Sequence, residues 1–273
     1  MPTVLEFDSR TVHPPANPAT DTKGTVNFPK AFVANPRLPH GFRELDIDKN
    51  SNIRAKSTIE SLTKNSVECH VSTWSNTTLY SSIETVFALA PANVEFQTGE
   101  VMRNANDPAS VRVNFARPYP TPPKVVTFFN YLDLDQNHGW RLKITPAEID
   151  EKGFTLKIET WGETVFFGAQ AAWIAYPEDR KHIFSASVNV QDVRDWQKPQ
   201  LQQSKAISFG DVEFWKNPEV FIALNALDIN KQANLRLRAY VDGVSKTGLT
   251  WHIDGWSDTV LNSAGASIIA FNN

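Results

Sequence analysis

The chain has 273 residues with 27 Lys and Arg against 30 Asp and Glu, a formal net charge of −3, and 41% of its residues are hydrophobic. This balance is typical of globular proteins, and the absence of a strong basic excess argues against non-specific nucleic-acid binding. No stretch of sequence approaches the roughly 20 apolar residues of a membrane helix, so we expect no membrane insertion. The single cysteine, Cys69, leaves no intramolecular disulfide.

The first residues, MPTVLEFDSR, carry neither the basic segment nor the apolar core of a signal peptide. We therefore expect a cytoplasmic protein, or one that is exported by a non-classical route.

In chain order, the sequence predicts three similar units, which we bound at 1–92, 93–178 and 179–273. Each unit is predicted to open with a short strand, around Phe7, Phe96 or Phe184, and to continue with a variable polar segment. Eight Trp and 17 Pro against 2 Met favour a β protein that is punctuated by proline.

The second unit shows the later strands most clearly. Residues 125–132 are nearly all apolar, as expected of a central strand that is covered on both faces. A strand with Arg141 pointing off the core follows, and residues 154–161 then alternate apolar and polar strictly. Residues 164–176 are predicted to form the closing strand. No helical periodicity with caps is present, so each unit is predicted to be a small antiparallel β-sandwich of five or six strands.

Three tetrapeptides that begin with tryptophan align the units without gaps. An aspartate lies 28 residues before each tryptophan, an arginine 20 residues before it, and an alanine 14 residues after it. A leucine precedes each aspartate, and a proline lies nine residues before that leucine. The aligned sets are Asp46, Asp133 and Asp228; Arg54, Arg141 and Arg236; and Trp74-Ser-Asn-Thr77, Trp161-Gly-Glu-Thr164 and Trp256-Ser-Asp-Thr259.

Side-chain parity places the repeated arginines off the core face of their strands. The repeated tryptophans are predicted to lie on the same non-core side of their own strand, or just past its end. An exposed Trp and Arg suit a sugar, because a pyranose packs its C–H face on an aromatic ring while a guanidinium donates to its hydroxyls. Aromatic residues and arginine are also enriched at protein interfaces, so the same pair is expected to seal the contact between neighbouring units. The two interpretations are compatible if the site lies at the interface.

The repeated aspartates are predicted to cap strand ends or turns, because no acidic partners recur at Ca²⁺-loop spacing. Signatures of serine hydrolases, zinc peptidases and phosphate-binding loops are absent, and the six histidines share no common repeat position apart from an approximate match of His70 with His252. We therefore expect no enzyme, no cofactor and no metal site.

The repeated pattern resembles the H-type lectin domain of snail agglutinins and discoidin C-terminal domains. The second unit carries the resemblance best, through Pro122-Pro123, Leu132-Asp133, Arg141, Gly153-Phe154, Trp161-Gly-Glu-Thr164 and Trp173-Ile174-Ala175. The third unit carries it through Leu227-Asp228, Arg236, Trp256 and Thr259, whereas the first unit is more degenerate.

This resemblance implies an all-β fold of three tandem six-stranded antiparallel sandwiches, arranged as a pseudo-trimer within one chain. It implies galactose or N-acetylgalactosamine sites between neighbouring units, with a sugar-contacting arginine, a tryptophan and the residue after it. An aspartate from the variable first loop is also implied. The corresponding residues are Arg54, Trp74 and Ser75; Arg141, Trp161 and Gly162; Arg236, Trp256 and Ser257; and the first-loop candidates Asp21, Asp107 and Asp195.

The residue after the tryptophan departs from the histidine of the snail proteins, which weakens the expectation of galactose-type specificity. The sequence thus predicts a multivalent, non-catalytic lectin with glycans or glycoconjugates as partners and with further homo-oligomers allowed. The alternatives are a structural, assembly or adhesion protein that lost sugar binding, and a glycan-directed toxin or defence module.

Overall fold

The computed structural model describes residues 2–272, which form 18 β-strands and two short 3₁₀ turns, Ser9–Thr11 and Val190–Asp192. The first repeat holds β1 (Thr3–Asp8), β2 (Asp21–Asn27), β3 (His40–Ile47), β4 (Ile53–Glu60), β5 (Ser66–Ser72) and β6 (Leu79–Ala88). The second repeat holds β7 (Gln97–Asn104), β8 (Ser110–Asn114), β9 (Lys124–Leu134), β10 (Trp140–Asp150), β11 (Gly153–Glu159) and β12 (Phe166–Tyr176). The third repeat holds β13 (Ile183–Asn189), β14 (Gln202–Ser208), β15 (Glu219–Ile229), β16 (Leu235–Asp242), β17 (Gly248–Asp254) and β18 (Leu261–Phe271). The all-β prediction is confirmed, and no α-helix occurs within 2–272.

Each repeat contributes two antiparallel half-sheets of three strands, which face each other as a sandwich. In the first repeat these half-sheets are β1-β6-β3 and β2-β5-β4. Each half-sheet continues into a half-sheet of a neighbouring repeat, and this pairing makes three six-stranded sheets: β1-β6-β3-β16-β17-β14, β13-β18-β15-β10-β11-β8 and β2-β5-β4-β9-β12-β7. Every repeat therefore shares one sheet with each of the other two, and the three repeats close into a ring.

The central strands β3, β9 and β15 are buried on both faces because two different cores meet on them. One face packs into the sandwich interior, where Leu45, Leu132 and Leu227 are fully buried. The opposite face of β9 and β15 contributes to a second apolar cluster that includes residues from all three repeats, and Gly41 of β3 lies against Phe128 of that cluster. We call this cluster the axial core; its buried members are Phe87, Leu89, Phe96, Val126, Phe128, Ala172, Ile174, Tyr176, Ile183, Phe221, Ala223, Ile269 and Phe271.

Aromatic rings join the repeats inside the axial core. The Phe87 ring lies 6.1 Å from Phe96, 5.8 Å from Phe221 and 5.1 Å from Phe271, measured between ring centroids. Because these partners belong to the second and third repeats, one side chain of the first repeat contacts both neighbours. Aromatic contacts of this kind contribute about 0.5–1.5 kcal/mol each beyond the area that they bury.

The predicted strands are recovered with small shifts at their ends. The central strand of the second repeat extends to both sides of the predicted 125–132, and the closing strand begins at Phe166 rather than at 164. Phe96 lies just before β7, whereas Phe7 and Phe184 lie inside β1 and β13. Cys69 is buried within β5, as expected of a small apolar side chain.

None of the helical turns described between residues 2 and 272 is long and apolar enough to cross a membrane.

Candidate functional site

The repeated arginines and aspartates meet where the half-sheets of neighbouring repeats join. We call these joints seam 1/2 (β4 with β9), seam 2/3 (β10 with β15) and seam 3/1 (β16 with β3). In the antiparallel register of each seam, an arginine lies directly opposite an aspartate of the next repeat: Arg54 opposite Asp133, Arg141 opposite Asp228, and Arg236 opposite Asp46. Residues that are opposite in a ladder project to the same face, so each pair shares the face that parity assigned to the arginine.

Each arginine forms an ion pair across its seam and a second polar contact within its own repeat. The Nε atoms of Arg54, Arg141 and Arg236 lie 3.3–3.4 Å from the facing carboxylates. Their Nη1 atoms reach the residue two positions after the tryptophan: Asn76 at 3.1 Å, Glu163 at 2.9 Å and Asp258 at 2.5 Å. The arginines therefore bind the repeats together while they line the seam.

Asp46, Asp133 and Asp228 lie at strand ends, as one of the two predicted roles required, because each is the next-to-last residue of its strand. They form ion pairs there, and the alternative prediction that they cap turns is wrong. The caps are formed by the residue two positions further on, since the side-chain oxygens of Asp48, Asp135 and Asn230 accept from a backbone N–H two residues later. The aspartate that aligns the repeats therefore forms the ion pair across the seam, and the residue two positions after it caps the turn.

The threonine of each tetrapeptide fixes the turn that carries the tryptophan. Its backbone N–H donates to the tryptophan carbonyl, at 3.3–3.4 Å in all three repeats. Its hydroxyl donates to a backbone carbonyl in the loop before the arginine strand: from Thr77 to Asn52, from Thr164 to Gly139 and from Thr259 to Asn234. Each tryptophan is thereby held beside its own arginine, just past the end of β5, β11 or β17.

The residue after each tryptophan has left-handed backbone geometry, with φ of 59° at Ser75, 62° at Gly162 and 58° at Ser257. Only Gly162 adopts this conformation without the steric cost of a Cβ. A Cβ built at Gly162 would lie 3.1 Å from Arg141 Nη1, so the missing side chain also lets the guanidinium lie close to the turn.

At seam 2/3 these elements surround an open cavity of about 560 Å³. The second repeat contributes Arg141, Lys143, Trp161 and Gly162, and the third contributes Asn189, Gln191, Trp196, Asp228, Asn262 and Ser263 among others. Trp161 is 40% exposed and Trp196 is 50% exposed, so both indoles present free surface. The cavity volume lies within the range of about 300–1,000 Å³ that is typical of small-molecule sites.

The first loop of the third repeat is fixed on the far side of this cavity. The Arg194 guanidinium donates to the Leu261 and Asn262 carbonyls at 2.6 and 2.9 Å and so ties the loop to β18. The Asn189 side chain accepts from the Gln191 N–H at 2.8 Å and from the Ser263 hydroxyl at 3.0 Å. The loop therefore presents Trp196 from an ordered position.

The three candidate first-loop aspartates occupy non-equivalent places in the three repeats. Asp21 is the first residue of β2 and pairs with His70, and Asp107 accepts from the Asn104 N–H in the turn between β7 and β8. Asp195 accepts from the Gln197 N–H, and it does not line the cavity at seam 2/3. The residues of this region that line the cavity are Asn189, at the end of β13, and Gln191, in the first loop. The roles of Asp21, Asp107 and Asp195 in sugar binding stay predictions.

Seam 1/2 is filled by an aromatic pair. The rings of Trp74 and Tyr131 are stacked, with centroids 5.3 Å apart and an interplanar angle of 12°. Tyr131 belongs to β9 of the second repeat, and its ring covers one face of Trp74. At seam 2/3 the equivalent residue is Ala226, and Trp161 is 40% exposed.

Seam 3/1 has a smaller cavity, of about 370 Å³, lined by Trp256, Asp46, Glu44 and Arg10 among others. Arg10 Nη1 lies 2.9 Å from the Glu44 carboxylate, whose side chain is 2% exposed, and Arg10 also pairs with Asp8 at 2.8 Å. An ion pair thus occupies this seam.

Burial raises the pKa of carboxyl groups at two of the seams. It raises the pKa of Asp46 to about 6, although the neighbouring Arg236 guanidinium acts in the opposite direction. Burial also raises the pKa of Glu44 and of Asp133, with Arg10 and Arg54 respectively opposing the shift. Desolvation disfavours the charged form of an acid, and here it outweighs the nearby cation.

Comparison with known proteins decides the family. The model of the H-type lectin domain matches three times, over residues 23–88, 110–176 and 204–271, which together make up most of the chain. The chain belongs to the H-type lectin domain family. The three matches confirm the resemblance and the three tandem copies that the sequence predicted. The unit boundaries after residues 92 and 178 stay predictions.

The chain is also similar to the protein described as "ATP synthase subunits region ORF 7" of Fuscovulum blasticum. The two are 28% identical over 105 residues, which cover 38% of this chain and 82% of that protein. The description names a genomic region and states no ligand or activity.

Sequence reasoning placed the repeated arginines and tryptophans of these H-type lectin repeats at a common face but missed the opposite wall of the cavity. Trp196 was visible as an aromatic residue in a polar segment, yet the first loop of the second repeat is shorter and that of the first repeat has Pro15 at the equivalent position. Ala226 carried a clearer signal, because the position two residues before the aligned aspartate holds Glu44, Tyr131 and Ala226 in the three repeats.

Proposed function

We propose that this chain is a non-catalytic lectin that binds galactose- or N-acetylgalactosamine-type glycans at the seams between its repeats, foremost at seam 2/3. The observation that carries the proposal is the open cavity there, in which an arginine and two exposed indoles from different repeats converge. H-type lectin domains are carbohydrate-binding domains, and this cavity has the chemistry that a sugar requires.

The cavity offers both stacking surfaces and hydrogen-bonding groups. Trp161 and Trp196 present apolar faces on which the C–H face of a pyranose packs. Arg141 uses Nε and Nη1 within the protein, whereas its Nη2 makes no hydrogen bond to any residue from 2 to 272. The Oδ2 atom of Asp228 likewise accepts no hydrogen bond within that range, because Arg141 and Asn262 both approach Oδ1. A donor and an acceptor are thus available for sugar hydroxyls.

The proposed sugar class is that of the family, and one residue of the site differs from the snail proteins. Gly162 lacks the side chain with which the snail proteins contact their sugar, so hydrogen bonds from Arg141, Asn189 and Gln191 must supply the specificity. Three equal seams would make the chain trivalent, with avidity about 10²–10⁴ above that of one site. Its location, cytoplasmic or reached by non-classical export, stays a prediction.

A structural role is the second candidate, and the aromatic pair at seam 1/2 and the ion pair at seam 3/1 favour it. There the Arg–Asp pairs hold repeats together while other side chains occupy the space beside the tryptophan. On this alternative the chain assembles or adheres through its surface, and its seams bind no sugar.

The test compares two arginines that form the same ion pair at different seams. A glycan array with the wild-type chain first identifies a ligand, and titration calorimetry then measures its affinity. Arg141→Ala should weaken binding by about ten- to hundredfold, because it removes a charge-assisted hydrogen bond of about 1.5–3 kcal/mol. Arg54→Ala is the matched control, since it removes the equivalent pair with Asp133 and should leave this affinity unchanged.

Both variants should also unfold at a lower temperature, because each pair bridges two repeats and its side chains are only 10–18% exposed. If Arg141→Ala lowers the melting temperature and leaves glycan binding intact, the arginines are structural struts and the proposed site is wrong. A wild-type chain that binds nothing on the array favours the structural role.

A further inference from the structure

We infer that one residue in each repeat, two positions before the seam aspartate, decides whether that seam binds a glycan, and that the chain therefore has one glycan site rather than three. We call Glu44, Tyr131 and Ala226 the gate residues. The inference rests on the proposed function and concerns its valence.

The gate residues are equivalent in the fold as well as in the sequence. Each follows a β-bulge in its central strand, where the pairing with β6, β12 or β18 skips one residue. Each also lies opposite a basic residue across its seam: Glu44 opposite Arg238, Tyr131 opposite Lys56, and Ala226 opposite Lys143. Because the gate residue is two positions from the seam aspartate, its side chain projects to the same face as the Arg–Asp pair.

At seam 1/2 the ring of the gate residue, Tyr131, blocks the site. Tyr131 stacks on Trp74 in a nearly parallel arrangement, so one indole face is already covered by an aromatic partner from the neighbouring repeat. The Tyr131 ring also lies against β12, since a Cβ built at Gly168 would be 3.2 Å from Tyr131 Cε1. A pyranose could reach this indole face only by displacing a packed ring.

At seam 3/1 the gate residue, Glu44, blocks the site through an ion pair. Glu44 is almost completely buried and is neutralised by Arg10, which Asp8 holds from the other side. Removing the Arg10 guanidinium would leave the buried Glu44 carboxylate without its cation, which is strongly unfavourable. Sugar hydroxyls would have to replace that guanidinium at the buried carboxylate.

At seam 2/3 the gate is open because Ala226 has only a methyl group. The cavity is larger than at seam 3/1, about 560 against 370 Å³, and Trp161 keeps 40% of its surface exposed. Gln191 stands in the first loop at the place that Arg10 takes in the first repeat, so no counterpart of the Arg10–Glu44 pair occurs at this seam among residues 2–272.

The experiment measures stoichiometry with N-acetylgalactosamine in titration calorimetry. We expect one sugar per wild-type chain. Ala226→Tyr should weaken binding at least tenfold by filling the open seam. Tyr131→Ala should raise the stoichiometry to two, whereas Tyr131→Phe keeps the ring and should stay at one.

A second readout separates gating from misfolding. In ¹H–¹⁵N spectra of the wild type, the sugar should shift the indole N–H signals of Trp161 and Trp196 and leave that of Trp74 in place. In Tyr131→Ala the Trp74 signal should respond as well.

Any one of three results would overturn the inference about the gate residues. These are three sugars bound per wild-type chain, normal binding by Ala226→Tyr, and a folded Tyr131→Ala that still binds one sugar. Failure of the wild type to bind any glycan on an array would instead overturn the proposed function on which the gate rests.

Discussion

Each seam arginine serves two neighbours at once, and this double use explains why a single residue type recurs at all three seams. Its Nε faces an aspartate of the next repeat, and its Nη1 faces the tryptophan turn of its own repeat. Arginine suits this position because its guanidinium presents several donors in one fixed plane. Lysine could form the ion pair, but it could not also leave a directed donor for a sugar.

Asp46 is the seam carboxylate with the largest perturbation, and its titration is predicted to be visible near neutral pH. Burial raises its pKa to about 6, with Glu44 and Asp48 acting in the same direction and Arg236 and Arg10 opposing the shift. The folded protein therefore binds this proton more tightly than the unfolded chain does, so the contribution of Asp46 to stability is fully present below about pH 4. That contribution is lost as the pH rises towards 6.

The prediction is checked against Asp46→Asn, which has no proton to bind at this position. The free energy of unfolding of the wild type should fall relative to that of the variant between pH 4 and pH 7. The carboxyl carbon of Asp46 should titrate near pH 6 in ¹³C spectra. A midpoint near 4, with a constant stability difference between the two proteins, would contradict the assignment.

At the level of the element, the Trp-x-x-Thr turn connects two distant strands in every repeat. Strand alternation was sufficient to predict that the arginines point off the core and that the tryptophans lie at a strand end. It could not show that the threonine hydroxyl ties this turn to the loop before the arginine strand, because that bond spans 25 residues. The first loops were not predicted for a different reason: the loop of the second repeat is shorter, and the loops of the first and third repeats have equal length but mostly different residues.

Removing this hydroxyl should therefore loosen the site as well as the fold. Thr164→Val leaves the Gly139 carbonyl without its partner, and we expect a loss of about 1–3 kcal/mol in the free energy of unfolding. Glycan affinity should also fall, because Trp161 and Arg141 lose their shared anchor.

Thr259→Val is the matched control for this experiment. It removes the equivalent bond, to the Asn234 carbonyl, at seam 3/1. Denaturant unfolding should show a similar loss of stability, while calorimetry should find unchanged affinity for the sugar. Equal losses of affinity in both variants would mean that the turn acts on the whole molecule rather than on one seam.

For the whole molecule, the repeat arithmetic correctly predicted three sandwiches, whereas the way they share sheets was not visible in the sequence. A period-2 pattern tells which face of β10 is buried, but it does not tell that β10 pairs with β15 of the next repeat. That register depends on the Arg141–Asp228 contact between the second and third repeats and on the axial core, to which all three repeats contribute. The apolar run at 125–132 did carry the relevant signal, because a strand covered on both faces needs a second core.

Shared sheets and a common axial core predict that the three repeats unfold together. Phe87 is fully buried and contacts rings of both neighbouring repeats, so Phe87→Ala should cost about 3–5 kcal/mol. Because Phe87 packs on rings of the second and third repeats, this loss should lower one transition of the whole chain. The fully buried Trp140 and Trp251 report on the second and third repeats and should show fluorescence changes at the same, lowered temperature as the calorimetric peak. If the first repeat instead melts alone, while both tryptophans keep their wild-type transition, the seams and the axial core do not couple the repeats.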